Sequence, residues 1–155
     1  MALQLIGWRE WVGLPSLGTS WIKAKVDTGA RTSSLHAFDL QSFEREGESW
    51  VRFVIHPWQR SARDASVVEV RLDDERSVRS SNGQVETRPV IRTMLQVGQT
   101  EIDIDLSLTR RDTMGFRMLL GREAIRHTFA VDAGSSYLTR TPPPSVVLIN
   151  RATEP

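Results

Sequence analysis

The chain has 155 residues, 39% of them hydrophobic and 25% charged, the balance of one soluble domain with a sizeable core. Twenty Lys+Arg against nineteen Asp+Glu leave a formal charge of +1, so no overall field recruits nucleic acid or an anionic membrane. Zero cysteines exclude a disulfide scaffold, a cysteine nucleophile and every Cys-ligated metal site.

Met1-Ala2-Leu3-Gln4-Leu5 has no basic n-region, so no signal peptide is expected. The longest run of large apolar residues, Val146 to Ile149, is far too short to span a bilayer. A cytoplasmic protein is the expectation. Along the chain, a strand rises through Ile22, Ala24 and Val26 and ends at Asp27-Thr28-Gly29. Trp50 to Ile55 is rich in Trp and β-branched residues, and Val68, Val70 and Leu72 alternate with Glu69 and Arg71; both read as strands. The polar stretch Asp73 to Glu86 holds Asn82-Gly83, the strongest short turn signal in the chain. It reads as a long exposed hairpin, either a flap over substrate or a surface decoration.

Ile91, Leu95 and Val97 share one face of a further strand, interrupted by Thr93, with Pro89 marking an edge or a bend. Val97-Gly98-Gln99-Thr100 predicts a tight hairpin into Ile102, Ile104, Leu106 and Leu108, which alternate with Asp103, Asp105 and Ser107; the two acids are expected on a wet face. Helix signals are few: Gly121 to His127 predicts one short helix with Ala124 and Ile125 inward. Thr141-Pro142-Pro143-Pro144 predicts an extended spacer, and Val146 to Ile149 beyond it a late strand, docking on its own domain or on a partner chain. The fold class predicted is all-β: one domain over 1–140, then a Pro-rich spacer and C-terminal strand or tail over 141–155.

Asp27-Thr28-Gly29 places a carboxylate at the tip of a rigid element, with a hydroxyl and backbone N–H donors beside it. Alone, such a tripeptide is also an ordinary turn. Downstream, Met118-Leu119-Leu120-Gly121-Arg122 puts a glycine after an apolar pair, where two backbones can approach closely. In this order on an all-β chain, the two features resemble the retropepsin-like aspartic peptidases. The resemblance extends to a bacterial branch catalogued as ATP-dependent zinc proteases and associated with ribosomal-protein glutamate ligases. It is carried by Gly7 to Pro15, Lys23 to Ala37, Trp50 to Phe53, Val90 to Thr93 and Asp112 to Arg122, and covers the chain to about Leu138.

That resemblance implies a single-lobe acid-protease barrel and catalysis by Asp27. Two carboxylates must share one proton, and only one Asp-Thr-Gly exists here, so a C2 homodimer is implied, each subunit giving one Asp27. Thr28 would lock the two loops together, Gly29 would leave room for substrate, and Ala30, which offers no hydroxyl donor, would suit work near neutral pH. Where viral relatives often carry an acid two residues beyond the glycine, this chain has Arg31, which with Arg122 is expected to face the cleft. Arg88, Arg92, Arg110, Arg111 and Arg117 flank it in sequence. Most arginines of this kind coat a solvated face. Arg31, Arg92 and Arg122 are the candidates for reading an acidic protein tail, since Arg forks onto carboxylates.

The branch's catalogue name invokes ATP and zinc, and the residues support neither. There is no Gly-x-x-x-x-Gly-Lys-Ser/Thr loop and no His-Glu-x-x-His. His36, His56 and His127 are the only histidines; Glu123 and His127 could form a two-ligand clip, with no third ligand to name. No cofactor and no metal is expected. Ser33, Ser34, Ser135 and Ser136 lack a His–Asp pair to activate them. The tryptophans are expected in core and rim, and Arg60 to Asp64 in a loop. The alternative to a peptidase is an inactive module of the same fold that binds acidic peptides, with Asp27 kept for its structural hydrogen bonds.

Overall fold

In the chain order of a computed structural model, which describes residues 2–58, 61–79, 82–110 and 115–153, strands dominate. They are β1 (Gln4–Leu14), β2 (Thr19–Asp27), β3 (Ser33–His36), β4 (Phe38–Arg45), β5 (Glu48–Ile55), β6 (Ser66–Arg71) and β7 (Asp74–Arg79). After these come β8 (Val85–Val97), β9 (Thr100–Thr109), β10 (Met118–Gly121) and β11 (Phe129–Ser136). Two helices, α1 (Arg122–Ile125) and α2 (Pro144–Thr153), flank β11, and a 3-10 turn at Pro15–Leu17 joins β1 to β2.

The main sheet runs β11-β1-β2-β10-β3-β9-β8-β7, and the pair Gly13↔Gln96 brings β1 back to β8. Strands β1, β2, β10, β3, β9 and β8 thereby close into a barrel, which leaves fewer strand edges open. A second sheet, β4-β5-β6, packs on it: Leu40, Val51, Phe53, Ile55 and Val68 join Leu35, Leu106, Leu108 and Met118 in one buried cluster. The alternation read in the sequence produces this. Val51, Phe53 and Ile55 are buried while Arg52 between them is exposed.

The hairpins follow their turn chemistry. Gly98 sits at φ +62° between the paired Val97 and Thr100, and Gly83 at φ +85° beside Asn82, whose Oδ1 accepts the Gln84 N–H at 3.2 Å. Pro89 lies inside β8, where the strand changes partners: residues 85–89 pair with β7, and from Val90 onward β9 joins. The missing N–H falls where no β9 residue needs it. Thr93 keeps the phase of Ile91 and Leu95 and is buried, its hydroxyl without a partner among the described residues.

The expected late strand at Val146 to Ile149 is instead part of α2. Pro144 occupies the first helical position, where its fixed φ suits the helix and its missing N–H is no loss, and the Val146 N–H bonds the Pro143 carbonyl at 3.0 Å. A short apolar run does not by itself distinguish strand from helix. Arg60, Arg111 and Asp112-Thr113-Met114 of the closing block lie outside the described residues.

One buried acid ties the chain's two ends together. Glu10 on β1 is 0% exposed; Oε2 accepts the N–H groups of Gly7 and Leu138 at 2.7 and 2.9 Å. Oε1 accepts the Thr139 N–H and hydroxyl at 3.1 and 2.8 Å. Each oxygen faces two donors, so an amide in either orientation would turn its NH2 onto N–H or O–H groups. Glu10→Gln is expected to destabilise by about 2 kcal/mol, read as a lower urea midpoint with an unchanged slope.

Candidate active site

Strand β2 delivers Asp27 to the end of the barrel, and the chain then loops through residues 28–32 before returning as β3. Strand β10 is threaded between these two arms, parallel to β2 with Gly121 opposite Asp27, and antiparallel to β3 with Leu119 opposite Ser34. The acid loop is fastened to the junction of β10 and α1. The Arg122 N–H bonds the Ala30 carbonyl at 2.8 Å, the Glu123 N–H bonds the Arg31 carbonyl at 3.1 Å, and the Gly121 N–H bonds Ser33 Oγ at 3.0 Å. A Cβ on Gly121 would lie 2.5 Å from the Thr32 carbonyl carbon, so only glycine admits the loop this close.

Within the loop, Asp27 Oδ1 accepts the Gly29 N–H at 3.0 Å, and the Asp27 carbonyl accepts the Ala30 N–H at 3.2 Å. Among the described residues Asp27 Oδ2 has no protein donor and the Thr28 hydroxyl makes no hydrogen bond. Asp27 and Ala30 are half-buried; Thr28 and Gly29 are exposed. The arrangement is a rigid turn that holds one carboxylate oxygen open at the surface.

The arginines sort differently from the expectation. Arg31 does not stand free at the cleft: its Nε pairs with Glu123 Oε1 at 2.8 Å, though the side chain is 74% exposed. That hydrogen bond holds the Glu123 carboxyl below the usual carboxylate range. Arg122 folds back so that Nη1 donates to the Gly29 carbonyl at 3.2 Å, bracing the loop. Arg92 shares Asp105 with Arg76: Arg92 Nη1 reaches Oδ1 at 3.1 Å and Arg76 Nη2 reaches Oδ2 at 2.9 Å. Asp105 is therefore engaged on both oxygens, where a merely wet strand face was expected.

Three of the flanking arginines hold structure. Arg88 pairs with Glu86 at 2.9 Å, Arg110 donates to the Leu40 carbonyl at 2.6 Å, and Arg117 lies over the Phe38 ring with Nε directed at the Trp58 carbonyl. Ser33 spends its hydroxyl on Gly121, and Ser135 bonds Asp132. His36 and His56 stack on the two sides of Phe38, where burial and then the Arg117 charge push the His56 imidazole down. The Glu123–His127 clip does not form: α1 ends at Ile125, His127 sits beyond it at φ +70°, and Glu123 is occupied by Arg31. A cavity of about 760 Å³ surrounds His36, Phe38, Arg52 and Arg110 at the far end of β3 and includes no acid-loop residue.

Burial raises the Asp105 and Glu86 carboxyls, but arginine hydrogen bonds outweigh it and hold both below their ordinary range. In the unfolded chain they ionise at higher pH, so that state binds more protons as the solution is acidified. Their stabilisation is complete above the ordinary carboxylate range, about pH 4 to 5, and is lost as pH falls through the depressed folded values. Amide-exchange protection of β7 is expected to drop on acidification below about pH 4, with a shallower drop in Asp105→Asn.

These features match a known family. A family model described as RimB-like, retropepsin-like aspartic endopeptidase RimB, fits residues 5–142. The chain belongs to the RimB-like family. The resemblance and the barrel expected from the sequence both hold. The family's description is that of a peptidase. Relatives include proteins named "Probable alpha-L-glutamate ligase". That of Shewanella halifaxensis is 47% identical over 133 residues, covering 86% of this chain and 29% of the relative. That of Desulfotalea psychrophila is 46% identical over 132 residues, covering 85% and 28%. This RimB-like chain thus spans under a third of the length of the curated relatives it matches. A crystal structure of Lpg0085 from Legionella pneumophila, of unknown function, superposes with a TM-score of 0.72 at 26% identity, covering 90% of this chain and all of that one. Among the described residues no helix is long and apolar enough to cross a membrane.

Proposed function

We propose that this chain is an aspartic peptidase, active as a C2 homodimer, that trims glutamate-rich protein tails. The observation that carries the reading is the acid loop: a braced turn with Asp27 Oδ2 open and Thr28 exposed beside it. A single-lobe barrel with one Asp-Thr-Gly supplies half of a dyad, and a two-fold axis through the loops supplies the other half. One ionised Asp27 takes a proton from water as the oxygen attacks the scissile carbonyl carbon. The protonated Asp27 of the partner subunit donates to the carbonyl oxygen. Collapse of the tetrahedral intermediate breaks the C–N bond: the amine leaves with the proton that Asp27 took from water, and a hydroxyl of the intermediate returns its proton to the partner's Asp27 as the C=O reforms. The Thr28 hydroxyls, without a bond among the described residues of one chain, bridge the two loops.

The substrate class rests on the relatives. In them a region like this chain lies within a longer protein named as a glutamate ligase, so a peptidase beside it meets chains that carry added glutamate. The test is mass spectrometry of a glutamate-tailed peptide and its glutamine counterpart, with and without chelator, alongside sedimentation equilibrium. Loss of glutamates from the acidic peptide alone, unaffected by chelator, from a protein that dimerises, is the expected result. A protein that stays monomeric and cleaves neither peptide contradicts the reading; tight binding without cleavage makes it a binding module.

A further inference from the structure

Beside the acid loop lies a cavity of about 290 Å³ lined by Ser33, Arg92, Asp103, Asp105, Glu123 and Arg126, among others. It draws on separate elements: Ser33 opens β3 where the acid loop ends, Glu123 stands on α1, Arg92 on β8 and Asp105 on β9. Arg76 reaches the same Asp105 from β7, and Arg76 and Arg126 both lie close enough to Glu123 to act on its charge. We infer that Arg76, Arg92 and Arg126 form the subsite that reads substrate carboxylates next to Asp27, with Asp105 as the residue that positions two of them. The inference rests on the acidic-substrate reading and deepens it.

A guanidinium carries five N–H donors in a fixed fork. Arg92 spends one on Asp105 and is 55% exposed, so most of its fork remains for a ligand. Arg76 spends Nη2 on Asp105 and directs Nε to Asp74 at 3.5 Å. Arg126 is exposed and makes no side-chain bond among the described residues. Asp105 is engaged by arginines on both oxygens and Glu123 by Arg31 on Oε1, so Glu123 Oε2 is the internal acceptor that an incoming carboxylate has to outcompete. Asp103 is exposed at the cavity wall and opposes an incoming carboxylate. The site therefore makes two predictions of opposite sign: removing an arginine weakens an acidic ligand, and neutralising Asp103 strengthens it.

The test uses full-length Asp27→Asn protein, so that ligand is bound and not turned over, with fluorescein-labelled hexaglutamate and hexaglutamine read by anisotropy. Arg92→Gln and Arg126→Gln are each expected to weaken hexaglutamate about fivefold, and Asp103→Asn to tighten it by a similar factor. Hexaglutamine binding should not move, which separates charge recognition from a general loss of fold. If the Arg92→Gln/Arg126→Gln protein binds hexaglutamate like its parent, the subsite is wrong. Should the Asp27-intact form of that double variant also cleave the glutamate-tailed peptide with unchanged KM, the peptidase reading survives without it. If the parent binds no hexaglutamate and the Asp27-intact protein cleaves no acidic peptide, both readings fall.

Discussion

Asp27→Asn is expected to lower cleavage of a glutamate-tailed peptide by at least about a thousandfold while leaving the fold intact. Among the described residues the carboxylate makes one hydrogen bond, from the Gly29 N–H to Oδ1. An asparagine carbonyl can accept that bond in the same geometry, and Asp27 is only half-buried. Stability should therefore stay within about 0.5 kcal/mol of wild type. On the proposed mechanism the loss is the shared proton: an amide neither deprotonates water nor passes a proton to the scissile carbonyl. Rates from mass spectrometry and melting curves from circular dichroism check the two halves separately. A large fall in melting temperature would mean that Asp27 serves the fold instead.

Gly121→Ala should give the reverse pattern, a large loss of stability with activity lost in consequence. The new Cβ would lie 2.5, 2.6 and 2.9 Å from the carbonyl carbon, carbonyl oxygen and nitrogen of Thr32. All three are backbone atoms and none can rotate away. Nor can the loop lift as a unit, because Arg122 and Glu123 bind the Ala30 and Arg31 carbonyls from the same junction. The expected destabilisation is about 3 kcal/mol, and surviving molecules should lose about a hundredfold in rate through the displaced carboxylate. Gly47→Ala is the comparison: nothing lies within 4 Å of its Cβ, and the only penalty is its φ of +78°, about 1 kcal/mol. Urea midpoints for the pair separate close approach from backbone conformation.

Those two residues also show what the sequence made legible. The alternation at Ile102 to Leu108, the Asn82-Gly83 turn and the short helix with Ala124 and Ile125 inward are local signals, and each is found where expected. Gly121 was readable because an apolar pair followed by glycine anticipates a close crossing of backbones, and the contact with Thr32 is that crossing. Partner choice was not readable. Arg31 finds Glu123 across 92 positions and Arg76 finds Asp105 across 29, distances over which residue type says little about contact. Glu10 does carry a signal in the sequence: it shares the two-residue phase of Val12 and Leu14, so a buried face has to accommodate an acid and supply its donors. Periodicity does not distinguish the helix at α2 because four consecutive apolar residues fit either structure, and Pro144, which suits an extended spacer equally, starts the helix.

The proposed site is built from two copies of Asp27, and mixed dimers test that most directly. Wild-type chain and Asp27→Asn chain are co-refolded in varying proportion at constant total concentration, and cleavage of the glutamate-tailed peptide is measured. A shared dyad requires both acids, so activity should follow the square of the wild-type fraction, falling to about one quarter in an equal mixture of randomly paired subunits. A linear decline, to about one half in the equal mixture, would mean that each subunit carries a complete site and would contradict the shared dyad.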